Sequence, residues 1–152
     1  MPGGPAFAIT AERYRFEGKI TVDLAAQMEP HARLQGGGSS FSPDPVEPFV
    51  WSTQEGCSRR PPVSWSIVYG LLRDPSDRAY AYTGAGRHAV LKASIPASIH
   101  LNGALGYVAL HEAPSRLLVR DRTGKVVQDE QLGSRTKELC KPGASSSLMV
   151  EQ

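Results

Sequence analysis

Two cysteines, four histidines and one glycine-rich hexapeptide are the residues of this chain whose types and spacing could support chemistry. Gly84-Ala85-Gly86-Arg87-His88-Ala89 has the form G-x-G-x-x-A, a dinucleotide fingerprint. That fingerprint works by setting a pyrophosphate on a helix N-terminus, with an acid about 20 residues later on the ribose. The first acid after it here is Glu112, and no strand–helix alternation surrounds it. The hexapeptide therefore reads as a hairpin turn, and no cofactor is expected. His31, His88, His100 and His111 lack ligand spacing, and neither Cys57 nor Cys140 lies in a C-x-x-C pattern or near a histidine at zinc distance. No metal site is expected, because a metal needs several converging ligands. There is no G-x-S-x-G, and neither cysteine has the surroundings of a thiol-protease nucleophile. The carboxylates Asp74, Asp77, Glu112, Asp121, Asp129 and Glu130 fall mostly at turns, where local hydrogen bonding accounts for them. No catalytic residue is assigned.

Binding is the chemistry that remains. Tyr80, Tyr82 and Tyr107, together with Trp51 and Trp65, are the aromatics from which an exposed platform for sugar rings could be built. Trp65 lies in an apolar alternation and is expected in the core. Tyr80, Tyr82 and Tyr107 are the candidate ligand-binding residues. Cys57 and Cys140 sit in polar, turn-like surroundings and are expected to form a disulfide. By the chain-entropy account, closing so long a loop stabilises by about 4 kcal/mol. Disulfides belong to oxidising compartments, so a secreted or cell-envelope location is expected. The opening Met1-Pro2-Gly3-Gly4-Pro5 has no basic and apolar leader, so the alternatives are a removed leader or a cytoplasmic protein.

Charge and hydropathy narrow the partners. The net charge is +2, and Arg59-Arg60 is the only arginine pair in the sequence. Nucleic acid needs a basic stripe with interleaved aromatics, and no linear stretch supplies one, so no nucleic-acid partner is expected. No apolar run approaches the ~20 residues of a membrane helix, so no membrane insertion is expected. An unidentified protein or glycan is the expected partner. Arginine outnumbers lysine twelve to five, in a chain rich in Ala, Gly and Pro, which suggests a bacterial source.

The elements that would position these residues are strands. The chain of 152 residues is long enough for one core, and 15 Gly with 12 Pro suit many turns. Period-two alternation runs through residues 6–24, and a three-residue bulged loop would set Tyr14 opposite Val22. Residues 25–48 form a long irregular Gly/Pro-rich segment, in which Ala25 to Leu34 could make a short helix. Val63, Trp65, Ile67 and Tyr69 share one strand face. Ala79 to Thr83 and Arg87 to Ile95 flank the turn Gly84-Ala85-Gly86, with His88 opposite Tyr82. Asn102-Gly103 predicts a type I′ hairpin between Ile99 to Leu101 and Ala104 to Leu110. That register puts Ala104, Gly106, Val108 and Leu110 on one face and Tyr107 on the other. Arg122-Thr123-Gly124, with Gly at the left-handed position, predicts a three-residue loop joining Val119 to Val127. Short strands at such spacing indicate an all-β sandwich or barrel. The units are residues 1–48 as N-terminal strands plus flexible segment, 49–141 as β-sandwich core and 142–152 as a disordered tail, within one structural domain overall.

The stretch from Cys57 to Val127 resembles immunoglobulin-like β-sandwich domains of secreted bacterial proteins. The resemblance rests on Val68-Tyr69-Gly70-Leu71, Asn102-Gly103 and Val119-Arg120-Asp121-Arg122-Thr123-Gly124-Lys125-Val126-Val127, and covers about half the chain. It implies an antiparallel immunoglobulin-like sandwich acting as spacer, adhesive or accessory module, and it brings no catalytic residues. Trp65 follows Cys57 by eight residues, nearer than in antibody domains, and Cys140 falls past the last clear strand, so the bond is expected as a peripheral clasp. The expected function is a noncatalytic extracytoplasmic accessory or interaction module. A carbohydrate-binding module is the first alternative, and a small hydrolase, or a fragment of one, the second.

Overall fold

The computed structural model describes residues 6–16, 18–29, 38–42, 46–59, 62–95, 97–99, 101, 103–132 and 149–150. Among them, strands dominate and the only helix is a single 3-10 turn, Ala97–Ile99. The first three strands, β1 (Ala6–Phe16), β2 (Lys19–Glu29) and β3 (Gly38–Phe41), form one sheet in that order. A five-stranded central sheet has the order β12 (Met149–Val150), β4 (Phe49–Arg59), β5 (Pro62–Leu72), β9 (Ala104–Leu110) and β8 (Leu91–Ala93). A four-stranded sheet has the order β11 (Val126–Gln131), β10 (Arg116–Arg120), β6 (Arg78–Thr83) and β7 (Gly86–Ala89). All neighbours are antiparallel except β12, which runs parallel to β4. The all-β class expected from turn spacing is the class observed.

Strand β5 explains the layering. Trp65 through Leu72 are buried without interruption. Successive side chains of a strand point to opposite faces, so an unbroken buried run means that both faces are covered. Trp65, Ile67, Tyr69 and Leu71 join Val22, Leu24 and Phe41 of the first sheet in one core cluster. Val68 and Leu72 join Ala79, Ala81, Leu117 and Val119 of the four-stranded sheet in another. The central sheet is thus packed on both sides, with Trp65, Ile67 and Tyr69 on one face as expected and Val68 and Leu72 on the other. Ser66 is 0% exposed, small enough to be enclosed although polar. Tyr69, also enclosed, finds a partner for its hydroxyl in Ser39 Oγ at 3.3 Å, and Ser39 donates to Ser52 Oγ at 2.8 Å.

Several local expectations are corrected by this layering. The N-terminal hairpin pairs Tyr14 with Thr21 and Arg13 with Val22, so Tyr14 does not face Val22. The inward set is Ile9 and Ala11 with Val22 and Leu24, and Arg13 ends the row by donating from Nη1 to Ile99 O at 3.1 Å. Ala25 to Glu29 continue β2 rather than starting a helix, because pairing with β1 outweighs the helix preference of two alanines in so short a run. Part of the segment read as irregular, Gly38–Phe41, is strand β3. The remainder of the helix and of the Gly/Pro-rich segment, residues 30–37 and 43–45, lies outside the described residues.

The predicted hairpin at Asn102-Gly103 does not form. Ala97–Ile99 is a 3-10 turn, and β9 pairs with β5 on one side and β8 on the other. Gly103 does have a positive φ of 112°, but a Cβ there would lie 2.2 Å from Leu72 O. The glycine is needed for a close approach to β5, not for a local turn. The face of β9 was read correctly: Ala104, Gly106, Val108 and Leu110 are buried. The run expected as one strand from Arg87 to Ile95 divides at Val90, with β7 in one sheet and β8 in another. His88 pairs with Ala81 instead of Tyr82, which pairs with Arg87. The loop at residues 122–124 is as expected, with Gly124 at φ 90° and Asp121 N donating to Lys125 O at 2.9 Å. Asp121 Oδ1 accepts from Thr123 N and Lys125 N, fixing the turn. A bulge then sets Val119 opposite Gln128 instead of Val127. Met149 and Val150, in the stretch read as a tail, form β12.

Candidate functional site

The sandwich opens along the edge where β11 overlies β4, and a cleft of ≈ 530 Å³ lies there. Its walls include Phe41, Ser42, Val46, Glu47, Trp51 and Glu130. Trp51 pairs with Gly70 on β5, and Gln128 and Glu130 sit opposite Val119 and Leu117 on β10. The fold thus turns all three toward the space between the sheets. Trp51 Nε1 donates to Glu130 Oε2 at 2.7 Å, and Gln128 Nε2 donates to the same oxygen at 2.7 Å. Gln128 Nε2 also lies 3.4 Å from Glu47 Oε2. Two carboxylates are therefore arranged around one amide, and the indole is bonded to one of them, Glu130. The cleft has the size and mixed lining of a small-molecule site, with a planar apolar wall and a few convergent polar groups.

The aromatics singled out from the sequence are not brought together. Tyr80 and Tyr82 share the outer face of the four-stranded sheet, since their neighbours Ala79 and Ala81 point into the core. Tyr107 lies on β9 of the central sheet and packs against the cluster on its far side. Arg87 Cζ sits 4.6 Å from the Tyr80 ring centroid and Arg116 Cζ 5.4 Å from that of Tyr82. Arg116 also makes a double hydrogen bond to Asp129, at 2.9 and 2.7 Å. This bond holds the Asp129 carboxyl below its ordinary range and raises the guanidinium. Trp65 is in the core as expected, at 4% exposure.

Among the described residues no group of three or more His, Cys, Asp or Glu is placed to hold a metal ion. His88 Nε2 lies 2.8 Å from Thr83 Oγ1. In the glycine-rich hexapeptide, Gly84 N donates to Glu112 Oε1 at 2.6 Å, and no helix follows. Its loop is occupied by the chain's own carboxylate. His31, His100, Cys140 and the side chain of Cys57 lie outside the described residues, and with them the proposed disulfide. Among the described residues no helix is long and apolar enough to cross a membrane.

The residues of the cleft are far apart in sequence. Trp51 and Glu130 are separated by 79 positions. Only the aromatic class of Trp51 marked it beforehand. Glu130 was visible as one turn carboxylate among six, and Gln128 carried no signal. No family model, curated protein or solved structure matches the chain.

Proposed function

We propose that the protein is a noncatalytic extracytoplasmic interaction module of immunoglobulin-like type, and that its cleft at Trp51 takes a neutral saccharide. The observation that carries this reading is the indole of Trp51 held in place by Glu130 at the edge of an open cleft. A sugar has an apolar C–H face and a rim of hydroxyls. The indole face matches the first, and the carboxylates of Glu130 and Glu47 accept from the second. Two carboxylates in the lining favour a neutral ligand over an acidic one. The resemblance and the two cysteines support the extracytoplasmic part.

The test is a fluorescence titration with neutral oligosaccharides. Trp65 is buried, so a change in emission reports Trp51. A saturable change that is lost in Glu130→Gln, with folding intact, is the expected result, together with loss of binding by calorimetry in Trp51→Ala. Silence across the panel removes the saccharide. Release of shortened sugars removes the noncatalytic reading and makes Glu47 and Glu130 a hydrolytic pair.

A further inference from the structure

We infer that the outer face of the four-stranded sheet is a second binding surface, specific for an acidic polysaccharide. This surface is separate from the cleft and does not depend on it. Arg78, Tyr80 and Tyr82 of β6 alternate with the core residues Ala79 and Ala81, and Arg116 and Arg120 of β10 alternate with Leu117 and Val119. Arg87 of β7 pairs with Tyr82 and joins the same face. Four guanidinium groups from three strands therefore surround two tyrosines. Asp129 of β11 is the facing carboxylate, and it is paired with Arg116. Arg122 and Lys125, both exposed, stand beyond one end of the sheet, where Asp74 and Asp121 offset their charge.

One contact makes this more than a solvated face. Arg78 and Arg120 are directly opposite each other on adjacent strands. Side chains so placed have Cβ atoms about 5 Å apart, and like charges there destabilise the sheet. A fold selected for stability alone would place an acid at one of the two positions; Asp129 stands opposite Leu118 and reaches diagonally to Arg116 instead. An anion lying across the pair removes the repulsion and gains two-pronged hydrogen bonds from planar guanidinium groups, which match carboxylate and sulfate geometry.

The state of the rings selects the kind of anion. Single-stranded nucleic acid binds where aromatic faces are open for base stacking. Here Arg87 lies over Tyr80 and Arg116 over Tyr82, so the surface presents guanidinium planes where bare rings would be needed. A polymer with regularly repeated carboxylate or sulfate groups and no aromatic bases uses that surface fully.

The experiment measures binding of the full chain to polygalacturonate and dextran sulfate, with uncharged dextran and single-stranded oligothymidylate as comparisons. The acidic polysaccharides are expected to bind, more weakly as salt rises. Arg78→Gln and Arg120→Gln are each expected to weaken binding about tenfold, the loss of one charged hydrogen bond. Arg78→Gln should also raise the melting temperature, by relieving the like-charge pair, whereas Arg120→Gln loses in addition the bond from Nη1 to Gly124 O at 2.9 Å. The response of Trp51 to a neutral saccharide should stay as it was, which separates this surface from the cleft. Arg15→Gln, an exposed arginine on β1, should change nothing. Three results overturn the proposal: no binding at low salt, equal weakening in Arg15→Gln, or oligothymidylate binding as tightly as the polysaccharides.

Discussion

The side-chain amide of Gln128 takes both backbone hydrogen-bonding groups of Phe49: Phe49 N donates to Oε1 at 2.9 Å, and Nε2 donates to Phe49 O at 2.9 Å. An amide side chain has the same donor and acceptor pair as a peptide unit. Gln128 therefore stands in for a strand at the edge of β4 and ties the central sheet to the four-stranded one. Open strand edges invite pairing with other chains, so the capping also protects the sheet.

Gln128→Ala leaves the two groups of Phe49, a residue with no exposed surface, without this partner. The expected cost is about 1–3 kcal/mol, read from urea unfolding. Gln128→Glu keeps the acceptor, loses the donor and adds a third carboxylate beside Glu47 and Glu130. It should destabilise more at neutral pH than in acid, where carboxylates are neutral. A Gln128→Ala protein as stable as the parent would mean that the edge closes without the amide.

Gly70 is a position where a single methyl group should be decisive. A Cβ there would lie 1.9 Å from Val50 O, a backbone atom that cannot swing away. Gly70→Ala is expected to cost more than about 3 kcal/mol or to abolish folding. Gly124→Ala, in open space but at positive φ, should cost only about 1–2 kcal/mol. The same ordering by thermal melts would suffice, and a reversal would misplace β4 against β5.

The two cores on either side of the central sheet should respond independently. Leu24 belongs to one and Val119 to the other. Leu24→Ala and Val119→Ala are each expected to cost about 2–4 kcal/mol. The double variant should lose the sum of the two to within about 0.5 kcal/mol, since they share no cluster. A large departure would place them in one packed cluster.

Asp77 carries a pH dependence of unusual sign. Burial, with Asp74 and Asp121 nearby, pushes its carboxyl above the ordinary value. The unfolded chain ionises this group at lower pH than the folded one, so ionised Asp77 costs stability at neutral pH. The cost disappears as pH falls through the raised folded value toward the unfolded one. Asp77→Asn should raise the melting temperature at pH 7, and the gain should shrink in acid. Asp74, Asp121 and Asp129 work the other way. Their carboxyls are lowered, by Ser76, Thr123 and Arg116 respectively, and the stability they supply is lost as pH falls.

Of the turns closed by neighbours in sequence, the one after β10 was legible, whereas those after β1 and β6 close one residue away from the expected register. The loop at Arg122-Thr123-Gly124 needs a left-handed residue, and Gly124 supplies it within a few positions of Asp121. The alternation in β5 was legible too, but its second buried face was hidden in Ser66 and Gly70, residues that reveal nothing about their surroundings. Gly103 misled because a positive φ serves a hairpin and a close approach equally well. Only the partner, Leu72 of a distant strand, tells them apart. The N-terminal register failed because the odd and even residue sets are both partly apolar, and the choice fell to the sheet beneath.

The sites followed the same rule. Tyr80 and Tyr82 were legible as surface aromatics. The arginine face was not, since Arg78, Arg87, Arg116 and Arg120 meet only when three strands align. A search for a linear basic stripe looks in the wrong dimension for a sheet. The Trp51 cleft joins residues from opposite ends of the described core, and no spacing rule spans that distance.

Val90 gives the sandwich a mechanical asymmetry. The chain leaves the four-stranded sheet at Ala89 and enters the central one at Leu91, while Val90 N stays bonded to Ala79 O at 2.9 Å with its side chain in the core. Along that edge the two sheets are stitched by the covalent backbone itself. Along the other edge they are fastened without a covalent link, by the hydrogen bonds of Gln128 and Trp51 and by the packing of Phe49 and Trp51 on the core. Under tension the molecule is expected to open as a hinged book, with the spine at Val90 holding and the pages parting first beside the cleft.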